Sequence, residues 1–132
     1  MTGPRFASPD GLAAPAGYSH VVEIPPGRLV WTSGQVPMDA DRSIAEGWEA
    51  QTGLVFENLG RALSAVGATW GDVVKLSIFV VDVSELATIR SVRDEFVDRA
   101  SPPTSTLVQV AGLFDPDVLI EVEAVAYLPP AG

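Results

Sequence analysis

Two runs near the start of the chain, residues 18–24 and 28–35, mix apolar and polar positions in a way typical of strands. Both contain β-branched and aromatic residues and are predicted to be strands. Between them, Pro25-Pro26-Gly27 favours a tight reversal, because the prolines fix φ and the glycine adopts conformations closed to other residues. The two strands are therefore predicted to form a hairpin.

Two later segments carry apolar residues at the three- and four-residue spacing of an α-helix. Residues 47–66 show this period, and residues 84–98 show it again, with Asp82 or Ser84 placed to cap the first turn. The segment between the helices, residues 73–81, is apolar and β-branched and is predicted to be a strand.

Two more strands are predicted close to the end of the chain, at residues 103–113 and 118–127. Alternation places Glu121 and Glu123 on one face of the second strand and leaves its opposite face apolar. A buried carboxylate needs water, a cation or a hydrogen-bond donor. Either this face is simply solvated, or at least one of the two carboxylates lines a wet cleft.

The order of elements predicts an α+β fold, with a single mixed sheet of about six strands and two helices packed on one face. Residues 1–16, rich in Pro, Gly and Ala, are expected to be a loosely ordered lead-in with room for a short edge strand, and residues 17–132 to form one domain. Alternate strand positions are apolar on both faces of the sheet. A second apolar face favours self-association, since monomers rarely expose large apolar patches.

The composition limits the choice of partners and cofactors. The net charge is −9 with only eight Lys and Arg residues, which argues against nucleic acid and anionic membranes. Cysteine is absent and histidine occurs once, so disulfides, thiolate catalysis and Cys-based or His-rich metal centres are excluded, and no metal or cofactor is expected. The first residues lack the apolar core of a signal peptide, and no run is long enough to span a bilayer, so a soluble cytoplasmic protein is expected.

Six short motifs follow one another along residues 18–127: Tyr18-Ser19-His20, Thr32-Ser33-Gly34-Gln35-Val36-Pro37, Gln51 to Asn58-Leu59, Val73-Val74-Lys75 to Phe79-Val80 with Asp82, Pro103 to Leu113, and Ile120-Glu121-Val122-Glu123-Ala124-Val125-Ala126. In this order and spacing they resemble the reactive intermediate deaminase family, also called Rid or YjgF. The resemblance implies a chorismate mutase-like fold and a homotrimer with three ligand clefts at the subunit interfaces.

The resemblance also implies roles for individual residues. Glu121 matches the glutamate to which the water-activating role is given, and Tyr18 matches a tyrosine that lines the ligand cleft. Positions in the cleft wall are matched by Ser33, Gly34, Leu107 and Phe114.

The residues alone leave other interpretations open for three of these positions. Tyr18 is also compatible with a half-buried packing role, in which its hydroxyl reaches water. Glu123 is interpreted as a structural partner of Glu121 or a solvated neighbour. His20 is interpreted as structural, because no carboxylate or nucleophile partner is evident for it in the sequence.

One position departs from the family. Deaminating members open the strand after the second helix with an arginine that binds the carboxylate of an imino acid, and Ser105 stands at that position. A serine cannot supply two parallel charged donors, so 2-imino acids are expected to be poor substrates. Arg90 on the second helix either supplies a substitute cation to the cleft from a neighbouring subunit, or is a solvated helix residue or a partner of Asp94 at i+4.

The expected function is that of a hydrolase or deaminase acting on a small imine, enamine or amide metabolite in an intersubunit cleft. Tyr18, Gly34 and Glu121 favour this function because they match the family's site. Ser105 favours the alternative, a non-catalytic trimer that binds a small molecule or scaffolds a partner.

Overall fold

The structure is a computed structural model and describes residues 3–132. Six strands and two α-helices follow one another along the chain: β1 (Arg5–Ala7), β2 (Val21–Glu23), β3 (Arg28–Trp31), α1 (Trp48–Ser64), β4 (Val73–Val80), α2 (Leu86–Arg93), β5 (Thr104–Gln109) and β6 (Ile120–Leu128).

Four strands form a mixed sheet in the order β3-β6-β4-β5, in which β4 and β5 are parallel and the other neighbours are antiparallel. The chain passes from β4 to β5 through α2, as a parallel pair requires. The predicted α+β architecture, a mixed sheet with two helices, is thus confirmed. The strands do not all join one sheet, however, because β1 and β2 form a two-stranded ribbon of their own.

Within residues 3–132, β2 and β3 do not form the predicted hairpin, because β2 pairs with β1 and β3 pairs with β6. The reversal between them packs against Tyr127 instead. The Tyr127 hydroxyl donates a hydrogen bond to the Pro26 carbonyl at 3.0 Å, and a Cβ at Gly27 would lie only 2.8 Å from Tyr127 Cζ. Two consecutive prolines also lack the amide donors that a hairpin ladder needs at this point.

The core lies between one face of the four-stranded sheet and the two helices. Along β6, Ile120, Val122 and Ala124 are buried, while Glu121 and Glu123 are half-buried on the other face. The alternation predicted for this strand is therefore present. The helix α1 covers the buried face with a stripe of side chains at helical spacing, namely Val55, Phe56, Leu59 and Leu63.

Both helices lie where the periodicity predicts them, but α2 is shorter than predicted and ends at Arg93. The amides of Phe96 and Val97 both donate to the Arg93 carbonyl, at 2.9 and 3.1 Å, and close the helix in a tight turn. This turn places Phe96 against Phe56, with 5.5 Å between the ring centroids. The end of α2 therefore coincides with packing of the Phe96 ring against an aromatic residue of α1.

Asp82 caps the turn that leads into α2, as predicted. Its carboxylate accepts a hydrogen bond from the Ser84 amide at 2.9 Å. Hydrogen bonds from the Ser84 backbone and side chain lower the pKa of Asp82, because they stabilise its charged form.

The strand β1 supplies the short edge strand expected within residues 1–16. The division into a lead-in at residues 1–16 and one domain at 17–132 stays a prediction. No helix within residues 3–132 is long and apolar enough to cross a membrane.

Candidate functional site

The segment that follows β3 bulges where it runs beside β6. The Thr32 amide donates to the Ala124 carbonyl at 3.0 Å, and Gln35 and Val122 exchange two backbone hydrogen bonds of 2.8 and 3.1 Å. From the first contact to the second, the segment after β3 runs three residues, from Thr32 to Gln35, whereas β6 runs only two, from Ala124 to Val122. The extra residue defines a β-bulge. The predicted wall residues Ser33-Gly34 lie in the bulge.

The bulge brings the backbone of Gly34 against the side chain of Glu121. A Cβ at Gly34 would lie 3.0 Å from Glu121 Cγ and 2.9 Å from Cδ, and closer still to one carboxylate oxygen. Glycine is needed here because it has no Cβ to occupy this space. Among residues 3–132, the Glu121 carboxylate has no hydrogen-bond or ion-pair partner, so both of its oxygens are available to water or a ligand.

A second group of predicted residues lines a cavity of about 220 Å³ between α2 and the β5 edge of the sheet. The polar part of its wall consists of two hydroxyl and two guanidinium side chains, those of Tyr18, Ser105, Arg90 and Arg93. Its apolar part includes Leu107 and three side chains from β4 and α2, Ile78, Leu86 and Ile89. A small pocket with convergent polar groups and an apolar wall fits a small polar or anionic molecule.

The two groups lie on opposite faces of the sheet. Ser105 is in register with Leu76 of β4, which is buried against the helices, whereas Glu121 is in register with Phe79. Leu76 and Phe79 are separated by an odd number of positions and therefore point to opposite faces. One chain thus brings Tyr18, Arg90, Ser105 and Leu107 together, and separately Ser33, Gly34 and Glu121, but it does not join the two groups.

The cations of the cavity differ in their surroundings. Arg90 is exposed and forms no ion pair among the residues that the structure describes. The pairing with Asp94 considered for it is not formed; Arg93 instead binds one oxygen of that carboxylate, Oδ1, through Nε and Nη2, at 3.1 and 3.0 Å. Arg93 itself is buried, and Nη2 also donates to the Ala16 carbonyl at 3.2 Å.

Arg93 and Gln51 are two positions whose importance the sequence analysis missed. Gln51 is buried in α1, where its amide nitrogen donates to the Asp117 carbonyl at 2.7 Å and its oxygen accepts from the Leu119 amide at 2.8 Å. It thereby fixes the chain that enters β6 just before Glu121. A polar residue on an apolar helical stripe is a signal for such a role, since a buried amide must be hydrogen-bonded.

The remaining predicted residues have simpler environments. Phe114 is 62% exposed in the loop between β5 and β6 and does not line the cavity. The ring of His20 contacts that of Tyr18 edge-on, with 5.2 Å between centroids, and its Nε2 hydrogen-bonds the Ala13 carbonyl at 2.7 Å. These contacts agree with a structural role for His20. No cluster of three or more His, Asp or Glu side chains within residues 3–132 could hold a metal ion.

Comparison with known proteins defines the class to which this fold and these residues belong. Residues 9–128 match the family model described as Endoribonuclease L-PSP. The chain is therefore a member of this family, which is the Rid or YjgF family that its motifs resemble.

Three relatives illustrate the similarity. The 2-iminobutanoate/2-iminopropanoate deaminase of Salmonella typhimurium is 37% identical over 124 residues, which cover 92% of this chain and 94% of the relative. A crystal structure from Yersinia pestis, YyfB, described as a protein of unknown function of the conserved Rid protein family, has a TM-score of 0.88 at 35% identity and covers 97% of this chain and 100% of its own. The crystal structure of Escherichia coli TdcF with bound serine has a TM-score of 0.72 at 31% identity, with 92% and 93% coverage.

The contact between Gly34 and Glu121 is testable by substitution. Gly34→Ala should lower the free energy of unfolding by about 1–3 kcal/mol, because the added methyl group overpacks the bulge. Removing the Glu121 carboxylate should relieve the overpacking. The loss of unfolding free energy in Gly34→Ala/Glu121→Ala should therefore be smaller than the sum of the losses in the two single variants. Urea unfolding measures all of these values.

Gly112→Ala is the matched control, because a Cβ there has nothing within 4 Å. It should change the free energy of unfolding little. Additive effects in the double variant would contradict the assigned contact.

Proposed function

We propose that this protein is a Rid-type hydrolase that removes the nitrogen of a small imine or enamine in a cleft formed between two subunits of a homotrimer. The observation that carries the proposal is the division of the site residues between two faces of one sheet. A small molecule cannot touch both faces of one chain. A single substrate can contact Glu121 and the cavity only if these belong to two neighbouring subunits of an assembly.

Exposed apolar side chains support such an assembly. Trp31 is 67% exposed and Leu29 is 49% exposed on β3, and Val108 on β5 is 41% exposed. Trp31 is in register with Val125, and Val125 alternates with the buried Ala124, so Trp31 lies on the same face of the sheet as Glu121. An apolar face beside the candidate catalytic carboxylate suits burial against a second copy.

Relatives with this fold support the reaction class. The Salmonella typhimurium relative is named a 2-iminobutanoate/2-iminopropanoate deaminase, and the Escherichia coli relative was crystallised with serine. Both names indicate small amino-acid-like molecules as ligands of those proteins. The cavity beside Ser105 has a size that fits a molecule of this class.

The reaction proposed here is hydrolysis of a C=N bond. Glu121 accepts a proton from water as the water oxygen bonds to the imine carbon, and it passes this proton to the imine nitrogen, which gives a carbinolamine. Glu121 then takes the proton of the carbinolamine hydroxyl and transfers it to the nitrogen, so the C–N bond breaks, ammonia leaves and a carbonyl group remains. Gly34 holds the Glu121 side chain at the sheet surface, and Tyr18 and Ser105 supply hydroxyl groups that can donate to the polar atoms of the substrate.

The proposed substrate is bound differently from a 2-imino acid in an arginine-containing site. Ser105 cannot bind a carboxylate with a charged two-donor fork, but Arg90 lines the same cavity and is unpaired among residues 3–132. A substrate with an anionic group would therefore present it to α2. A neutral imine, enamine or amide would use only the hydroxyl groups.

A second candidate function is a non-catalytic trimer that binds a small molecule or scaffolds a partner. Ser105 favours it, because a lost charged donor weakens substrate binding.

Binding to RNA, which the name of the family model suggests, has no support from a net charge of −9 with eight Lys and Arg residues. We also propose a cytoplasmic location, with which a chain that needs no disulfide is compatible.

Mixing two inactive variants tests the shared site. Glu121→Gln removes the base and Arg90→Glu reverses the charge in the cavity, so each homotrimer should lose most hydrolysis of an imine that carries an anionic group. Trimers assembled at random from both should regain about a quarter of the wild-type activity, because that share of the interfaces combines two intact half-sites. Imine loss in coupled assays is the readout, with Glu123→Gln as the matched active control.

No recovery in mixed assemblies, verified by native mass spectrometry, would place both residues of a site in one chain. Full activity of Glu121→Gln would refute its role as base and favour another catalyst. Normal ligand binding without turnover in the wild type would favour the binding module.

The role of Ser105 generates a separate prediction. Wild-type turnover of 2-iminopropionate should be weak, because a charge-assisted hydrogen bond of about 1.5–3 kcal/mol is missing, which corresponds to one to two powers of ten in binding. Ser105→Arg should raise turnover, and Ser105→Arg/Arg90→Asn should raise it further by removing repulsion between two guanidinium groups. Robust wild-type turnover that survives Arg90→Asn would contradict this account of substrate binding.

A further inference from the structure

We propose that Arg93 is a positioning residue of the cavity, which orders Tyr18 and keeps Arg90 unpaired by binding Asp94 itself. The inference rests on the proposed function for its use in substrate binding. The structural part of the inference depends only on the hydrogen bonds and packing contacts of Arg93.

Arg93 is the buried centre of a small hydrogen-bonded group. Its side chain is 8% exposed, whereas that of its partner Asp94 is 32% exposed. Nε and Nη2 bind the carboxylate, and Nη2 also donates to the Ala16 carbonyl, 77 residues earlier in the chain. A buried guanidinium is stable only when it is paired and hydrogen-bonded, so this arrangement fixes α2 to the N-terminal segment.

The attached segment is the one that carries Tyr18. Gly17 has a φ of +79°, and a Cβ there would lie 3.0 Å from Arg93 Cζ, so the Gly17 backbone packs directly against the guanidinium group. On the other side of Tyr18, the Ser19 hydroxyl donates to the Pro102 carbonyl at 2.7 Å. Tyr18 is therefore held between two attachments, and Arg93 provides one of them.

The second consequence concerns Arg90. On a helix, an aspartate four residues after an arginine is normally within reach of it. Here two donors of Arg93 bind one oxygen of Asp94, Oδ1, and hold the carboxylate against the Arg93 side chain. Arg90 keeps its charge available to the cavity for this reason, and loss of Arg93 would release Asp94 to pair with Arg90.

The two tyrosines of the chain, Tyr18 and Tyr127, make the first part measurable. With 3-fluorotyrosine incorporated, the protein should give two ¹⁹F resonances, assigned with Tyr18→Phe. Arg93→Met should shift or broaden the Tyr18 resonance and leave that of Tyr127 in place, which also reports that the fold is intact. Arg61→Met is the matched control, since Arg61 lies on α1 near Glu57 at i−4. It should move neither resonance.

The second part is measured with pyruvate, a stable carbonyl analogue of a 2-imino acid. Arg93→Met should weaken pyruvate binding roughly two- to fivefold, the effect of one exposed ion pair formed between Asp94 and Arg90. Arg93→Met/Asp94→Asn should restore the affinity, which a merely structural role of Arg93 would not allow. Arg93→Lys retains the charge but not the fork, so it should keep the affinity while still moving the Tyr18 resonance.

The outcomes separate this inference from the proposed function. Absence of pyruvate binding by the wild type would overturn the anion-binding role of Arg90, and the ¹⁹F comparison would then decide on Arg93 alone. An unmoved Tyr18 resonance in Arg93→Met overturns the positioning role. Equal affinities of Arg93→Met and Arg93→Met/Asp94→Asn overturn the proposed shielding of Arg90. If Arg93→Met does not fold, Arg93→Lys supplies the same ¹⁹F test.

Discussion

The alternation of side chains along β6 and β4 is the constraint on which the rest of the structure depends. Because neighbours on a strand point to opposite faces, β6 contributes Val122 to the core and Glu121 to the other face. A slip of one residue in register would bury both carboxylates and expose the apolar side chains. The position of Glu121 is therefore determined by burial of its neighbours together with the close approach of Gly34.

The same alternation divides the chemistry between two surfaces. The face with Glu121 offers a carboxylate without a described partner, whereas the cavity between α2 and β5 offers hydroxyls, the anchored Arg93 and Arg90, which has no ion-pair partner among residues 3–132. Each surface has what the other lacks for hydrolysis of a C=N bond. Association of chains is thus part of the proposed mechanism, and the exposed Trp31 shows an apolar surface suited to it.

Local patterns were enough to predict the elements, because periodicity depends on neighbours in sequence. Both helices, the cap at Asp82 and the alternation around Glu121 could be predicted in this way. Pairing of β2 with β1 could not, since a strand's partner depends on distant residues such as Tyr127. Ser105, Leu107 and Glu121 lie on strands as the sequence predicted, whereas Tyr18, Ser33 and Gly34 lie outside β2 and β3, which are shorter than predicted. The separation of the site residues across the sheet follows from register with β4, which no local pattern reveals.

The buried Arg93 shows a further limit of sequence reasoning. At helical spacing a charged residue is normally interpreted as solvated, and the tertiary contact with Ala16 is needed to explain the burial of Arg93.

The proposed site depends on assembly of the chains, and its most direct test is the mass of the protein in solution, measured by light scattering coupled to gel filtration at micromolar concentration. A mass of three times the 13.9 kDa of one chain is predicted. A monomer under these conditions would contradict the intersubunit site.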